Sequence, residues 1–306
     1  MQLPPDVRRL IEERAESVGF AVLKRAATAM SESYREGSAA HLSDAERTAA
    51  YLVTRMPATY AAAYAVLREV RRRLGSRGVA SVLDIGAGTG AASLAAHVWF
   101  PGAGITMVER DASFAEVARL LVPDAAIQPM LHLPLPAHDL VIAAYSLGEI
   151  REPLSKGLWQ SAQVAMVAIE PGTPRGFALI RGIRDELLSI GAHMLAPCPA
   201  ESPCPVPDDD WCHFAARVER SSLHRRMKDG ALGYEDEKYS YVALAREEVG
   251  LPSGRIVRRP KQEPGLIVLE TCSAGRLRTE RVTRRDQEAF RRARKAGWGD
   301  AWGTVS

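Results

Sequence analysis

The segment VLDIGAGTG (82–90) constrains the fold of this chain more than any other stretch. A short apolar run ends in three closely spaced glycines and restarts as a helical pattern. Glycine permits the tight reversal and lets the backbone approach a ligand, while the helix N-terminus that follows faces that ligand. Further apolar runs follow at ITMVE (105–109), DLVIAAY (139–145) and VAMVAIE (164–170), each ending in a polar or glycine-rich turn and separated by helical stretches. Strands alternating with helices predict a parallel sheet covered on both faces. A helix is expected around Arg175–Ile190. Two more strand-like runs, YSYVALA (239–245) and GLIVLET (265–271), are expected to close the sheet.

Ahead of the glycine segment, residues 5–75 read as helices. Ser43 and Glu46 form a capping-box pattern, and Pro57 opens a helix running to about Leu74, where Gly75 stops it. At 306 residues, with 46% hydrophobic and 25% charged side chains, the composition is that of a soluble globular protein. The first residues, MQLPPDVRRLIEERAE, carry charges where a signal peptide needs an apolar stretch. No apolar run approaches the length of a membrane span. The expected location is the cytoplasm, without a membrane partner.

Three details refine the glycine segment. Asp84 precedes its first glycine. Gly86, Gly88 and Gly90 stand closer together than in the dinucleotide fingerprint G-x-G-x-x-G. Glu109 ends the second strand, where a carboxylate can accept both ribose hydroxyls. The set resembles the S-adenosylmethionine (SAM) site of Rossmann-like methyltransferases. That resemblance implies that Asp84 and the three glycines surround the methionine end and that Glu109 holds the ribose. The turn from Ala144 to Glu149, with Tyr145 and Ser146, would lie beneath the sulfonium. This turn lacks the Asn/Asp-Pro-Pro-aromatic motif of many amino-directed base methyltransferases. No cysteine precedes residue 198, which closes the covalent route to carbon 5 of cytosine. No general base is assigned, so the catalytic residues are unknown.

Cys198, Cys204 and Cys212 fall within fifteen residues, and Cys272 follows alone. Four thiolates close a tetrahedral zinc site or hold one iron–sulfur cluster. The short C-x2-C knuckles of zinc ribbons are absent, while Cys-Pro pairs and irregular spacing occur in iron–sulfur proteins. His193, His213 and His224 are possible substitute ligands. In the methyltransferase variant of the fold the last two strands form a hairpin. If YSYVALA is the sixth strand and GLIVLET the seventh, all four thiols reach the N-terminal edge of the parallel strands. That edge lies roughly 17–20 Å, a strand length, from the SAM side.

The net charge of +3 hides an asymmetry. Residues 276–295 hold nine Arg and Lys against three Asp and Glu, leaving 31 basic and 34 acidic residues elsewhere. A solvated basic helix accounts for this run, and so does a polyanionic partner. Nucleic-acid candidates are Arg258, Arg259, Arg276, Arg278, Arg281, Arg284 and Arg285, with Arg255 and Lys261 nearby.

Five segments in one order carry a closer resemblance: YLVTRMPATYAAAYAVL (51–67), the glycine loop, IEPGTPRGF (169–177), PCPAESPCPVPDDDWCHF (197–214) and GYEDEKYSYVAL (233–244), before Cys272 and a WGD ending (298–300). The chain resembles the methyltransferase-like family associated with the small ribosomal subunit, known from mitochondria and bacteria. The resemblance implies a [4Fe–4S] site on Cys198, Cys204, Cys212 and Cys272, favoured over zinc. It implies small-subunit rRNA or a pre-ribosomal particle as partner. The expected organisation is a helical region (1–76), a SAM-binding Rossmann-like core (77–191), a cysteine-rich metal-binding insertion (192–238), closing strands of the core (239–275) and a basic C-terminal segment (276–306). Three readings fit these residues: SAM-dependent methylation of rRNA, a non-catalytic assembly factor that uses the fold as an RNA-binding scaffold, or methylation of a protein or small molecule, which the basic tail makes less attractive.

Overall fold

The computed structural model describes residues 2–36, 42–132, 134–150, 154–227 and 233–305; parts of the expected helical region and cysteine insertion (37–41 and 228–232) lie outside these. Four helices come first: α1 (Pro5–Val18), α2 (Phe20–Glu36), α3 (Asp44–Thr54) and α4 (Met56–Leu74). There follow β1 (Ser81–Ile85), α5 (Ala91–Trp99), β2 (Gly104–Val108), α6 (Ala112–Leu121), β3 (Ala126–Gln128) and β4 (His138–Ala144). Next are α7 (Ser155–Ser161), β5 (Ala162–Pro171), α8 (Pro174–Ser189), β6 (His193–Ala196), β7 (Phe214–Glu219) and α9 (Ser222–Met227). The chain continues through β8 (Tyr234–Ala245), β9 (Pro252–Ile256), β10 (Lys261–Glu263), β11 (Leu266–Ser273) and β12 (Arg276–Thr283), then α10 (Gln287–Lys295) and β13 (Ala301–Val305).

The local signals act as their chemistry requires. Ser43 Oγ accepts the Glu46 N–H and the Glu46 carboxylate accepts the Ser43 N–H, so both halves of the capping box form at the start of α3. Gly75 stops α4 with φ of 59°, a conformation that costs a side-chain-bearing residue more. Pro174 opens α8 behind Thr173, whose hydroxyl accepts the Gly176 N–H.

The chain forms two compact units. The first comprises Met1–Leu67, Ser81–His132 and Ala216–Glu237. In it β2 lies parallel between β1 and β3, with Ser81 opposite Gly104 and Thr106 opposite Ala126. Val82, Leu83 and Ile85 of β1 and Met107 of β2 are buried, as expected of strands covered on both faces. Helix α3 packs on α1, α2 and α6.

The second unit comprises Arg68–Ala80, Leu133–Ala215 and Lys238–Ser306. Here β4 and β5 are parallel, and β8 runs antiparallel between β5 and β6. Ala165 to Pro171 of β5 face Ala245 to Tyr239 of β8. A second, antiparallel sheet contains β9 to β13: β12 pairs along one edge of β11, while β10 and β9 share the other and β13 extends from β9. Its own small core gathers Ile256, Ile267, Leu269 and Ala293, with Phe290 of α10 and Trp302 packed against them.

The architecture is a Rossmann-like α/β fold, preceded by a helical region. The identity of its last strands differs from expectation. YSYVALA belongs to β8, and its partners are β5, β6 and β7 rather than GLIVLET. GLIVLET forms β11 of the separate sheet. The cysteine loop therefore precedes a β7–β8 pair, and Cys272 reaches it from the second sheet. The basic stretch is not one solvated helix either: its first half is β12 and its second half α10. Among the described residues no helix is long and apolar enough to cross a membrane.

Candidate functional site

In the first unit, the glycine loop joins β1 to α5. Gly86, Gly88 and Gly90 have φ of 67°, 58° and 83°, the left-handed region where glycine alone is unstrained. The Gly86 and Ala87 N–H groups both donate to the Val108 carbonyl, which pins the loop to the end of β2. A side chain at Gly90 would sit about 3.4 Å from Ala118 of α6, in close contact. Tyr51 of α3 brings its hydroxyl to the surface of Gly88, and its ring lies 4.9 Å from that of Phe114.

Two carboxylates serve this loop differently. Glu109 accepts the Gly88 N–H on one oxygen and the Asp111 N–H on the other, both at 2.7 Å. Asp84 is 1% exposed. Its Oδ2 accepts the Ser93 hydroxyl at 2.7 Å, whereas its Oδ1 is buried without a hydrogen-bond partner. The Thr89 hydroxyl is likewise buried and unpartnered. Burial pushes the Asp84 carboxyl up to about 6; the Ser93 bonds oppose this and the charge of Glu109 adds to it. Unpartnered buried polar atoms are rare and point to a missing partner. The donor-hungry Asp84 Oδ1 beneath a left-handed loop fits a ligand that brings N–H or O–H groups, as the ammonium and ribose of SAM do. Thr89 and Ser93 were not singled out in the sequence, although Thr89 stands inside the motif.

In the second unit, the turn after β4 holds Tyr145 at φ of 58°, with its N–H donated to the Ile169 carbonyl at 2.7 Å. The Leu147 and Gly148 N–H groups both donate to Glu170 Oε1, at 3.0 and 3.3 Å. Glu170, 4% exposed at the end of β5, is pushed up to about 7 by burial, against the pull of those two bonds. Sequence reasoning passed over it. Its only signal was a lone carboxylate ending the apolar run of IEPGTPRGF.

The four cysteines also lie in the second unit. Cys198, Cys204 and Cys212 ride the loop after β6, which opens with a cis Ala196–Pro197 bond. Cys272 sits on β11, opposite Arg255 and Leu277. All four are free and line one cavity of about 50 Å³, larger than the roughly 10–15 Å³ that one water needs. Burial, reinforced by the neighbouring cysteines, raises Cys212 far above the usual thiol range and Cys272 to about 12. Among the described residues, no three or more His, Cys, Asp or Glu side chains are grouped so as to hold a metal ion. The thiols thus share a cavity without forming a single-ion coordination shell.

Two buried arginines line the same cavity. Arg184 of α8, 4% exposed, donates to the Ala200 and Ser202 carbonyls at 3.2 and 2.6 Å and to Asp185. Arg255 of β9, 2% exposed, donates to the Pro197 carbonyl at 2.7 Å and the Gly299 carbonyl at 2.9 Å. It also pairs with Glu69 of α4 at 2.9 Å. Arg184 Nε still lacks a hydrogen-bond partner. The donor set therefore suits a thiolate-bound, negatively charged group: four sulfurs beside two buried cations, one of which, Arg184, has an N–H to spare. His193 and His213 stand elsewhere, against Glu201 and between Trp211 and Trp298, and His224 lies in the first unit beside Glu235.

The basic residues divide. Arg255 is a buried staple and not a surface phosphate ligand, which corrects the expectation from its neighbourhood. Arg258 is half-buried, donating to Val257 O and pairing with Asp210. Lys261 pairs loosely with Glu270 at 3.8 Å. Arg259, Arg276, Arg278, Arg281, Arg284 and Arg285 are exposed, on β12 or the segments beside β9 and α10.

Residues 45–303 match the family model described as mitochondrial small ribosomal subunit Rsm22. The chain is 27% identical over 324 residues to Rsm22-cox11 tandem protein 2, mitochondrial, of Schizosaccharomyces pombe, covering 82% of this chain and 42% of that protein. It is 27% identical over 286 residues to human ribosome assembly protein METTL17, mitochondrial, covering 82% of this chain and 61% of that protein. The chain thus spans only part of the length of these relatives. Among solved structures, precorrin-6y C5,15-methyltransferase of Geobacter metallireducens is 15% identical over 60% of this chain and 89% of that one, with a TM-score of 0.41. Magnesium protoporphyrin IX methyltransferase of Synechocystis with bound SAM is 14% identical over 62% and 80%, with a TM-score of 0.38.

Proposed function

Because the chain belongs to the mitochondrial small ribosomal subunit Rsm22 family, we propose that it acts on small-subunit rRNA or on the assembling small ribosomal subunit, as a SAM-dependent methyltransferase-fold protein in the cytoplasm. The observation that carries the cofactor is the buried, unpartnered Oδ1 of Asp84 beneath the glycine loop. When bound, SAM supplies an electrophilic methyl group on a sulfonium. Asp84 would accept the ammonium, Gly86, Gly88 and Gly90 would let the backbone close on the ligand, and Glu109 would exchange its loop N–H for ribose hydroxyls. Tyr145 is the candidate on the turn after β4.

Cys198, Cys204, Cys212 and Cys272 would hold a [4Fe–4S] cluster, with zinc as the weaker choice. Two observations support this: the shared cavity and the two cations beside it. Bound there, the cluster would tie the cysteine loop to β11. Arg276, Arg278, Arg281, Arg284 and Arg285, with Arg259, would supply salt-sensitive, sequence-neutral contacts to RNA phosphates.

The test compares rRNA methylation in a deletion strain and an Asp84→Ala strain. Loss of the same methylated site in both supports methyl transfer. Failed subunit assembly in the deletion alone, with every methylation retained, refutes it and leaves an RNA-binding scaffold.

A further inference from the structure

A buried guanidinium is costly unless it is paired and hydrogen-bonded. Two such groups line the thiol cavity. Each has a counter-ion: Asp185, itself half-exposed, for Arg184, and Glu69 for Arg255. Arg258 adds a third, weaker positive influence on Cys212 and is paired with Asp210. Two exposed ion pairs would satisfy these charges at the surface with less desolvation. Burying them beside sulfur makes physical sense if the sulfur is anionic.

The hydrogen bonds are equally specific. Arg184 binds the carbonyls of Ala200 and Ser202, between the first two cysteines, and its positive charge favours the thiolate form of Cys198. Arg255 binds the carbonyl of Pro197, immediately before Cys198. Both guanidiniums therefore fix the loop that bears the thiols, and Arg184 keeps a buried Nε–H without an acceptor.

Resting on the cluster reading above, we propose that Arg184 and Arg255 are positioning residues that also set the redox poise of the thiolate-bound group. The physical basis is general. Reduction adds one electron and hence one negative charge, and nearby positive charge and N–H donors stabilise that reduced state. Removing the charge of Arg184 should make the group harder to reduce. Removing the opposing charge of Asp185 should make it easier.

The experiment uses the full chain, purified anaerobically, as wild type, Arg184→Gln and Asp185→Asn. Iron per chain is measured first, and the visible absorbance is then followed in a redox titration against dyes of known potential. At the potential where the wild type is half reduced, Arg184→Gln should show an about tenfold lower reduced-to-oxidised ratio, about 59 mV for a one-electron couple. Asp185→Asn should shift the ratio the opposite way, by severalfold. Opposed shifts are not expected of residues that merely hold the loop. Iron-loaded variants that titrate with the wild type overturn the inference alone. If Arg184→Gln does not fold, Asp185→Asn at a half-exposed position decides by itself. A wild type free of iron sinks the cluster reading and this inference together.

Discussion

Asp84 gives the sharpest quantitative expectation. Its carboxyl moves from an ordinary 3.8 to about 6 on folding, chiefly through burial. The folded chain therefore holds this proton more tightly than the unfolded chain. The resulting stabilisation is fully present below pH 3.8 and is lost as pH rises through 6. At about 1.4 kcal/mol per unit, the whole effect is roughly 3 kcal/mol, most of it lost between about pH 4 and 7. Asparagine has nearly the same shape and no titration. Asp84→Asn should accordingly show a stability difference from the wild type that tilts in favour of the variant by about 2–3 kcal/mol over that range.

Urea unfolding at intervals from pH 4 to 7.5 reads this directly. With a slope of about 3 kcal/mol/M, the gap between the two midpoints should change by close to about 1 M. The absolute stability of the variant is not the test, since its amide brings an N–H group to the position of the unpartnered oxygen. The pH dependence of the difference is the test. Parallel midpoint curves would mean that Asp84 keeps an ordinary acidity when folded, and the argument from its buried, unpartnered oxygen would fail. The same measurement with SAM present should flatten the wild-type curve, because a bound ammonium stabilises the carboxylate.

Two further outcomes follow from the geometry. A Cβ at Gly176 would stand 2.1 Å from the Pro171 carbonyl, so Gly176→Ala should lower stability by about 3 kcal/mol or more, visible as a reduced Tm. Arg255 and Arg278 should part company. Arg255→Ala removes a fully buried guanidinium, leaves the Pro197 and Gly299 carbonyls without their donor and Glu69 with only Arg72 at 3.4 Å, and should cost about 3–5 kcal/mol in a denaturant melt. Arg278→Ala should leave the melt unchanged, weaken binding to rRNA fragments and reduce the salt dependence by about one unit of slope.

The difference between those arginines marks where the sequence stops being legible. In β1, β2, β4 and β5 the apolar run is nearly continuous because both faces are covered, and the pattern is visible without knowing the partner strands. Strands β3 and β6 hold three and four residues, too few to show any period. Strand β12 is exposed along almost its whole length, so its sequence RLRTERVT alternates nothing and reads as a charged surface. GLIVLET was recognisable as a strand, but membership of a sheet lies in its pairing with β9, β10 and β12, which the run itself does not encode. Burial of charge is hidden for the same reason. Arg255 looks like any arginine until Glu69, 186 positions away, and the carbonyls of Pro197 and Gly299 come to meet it. Glu170 becomes distinctive only when the turn after β4 delivers two N–H groups to its oxygen. The cysteines were visible because their type alone restricts their chemistry. The arginines and carboxylates that tune a site carry no such mark, since their ionic character is set by what the fold places beside them.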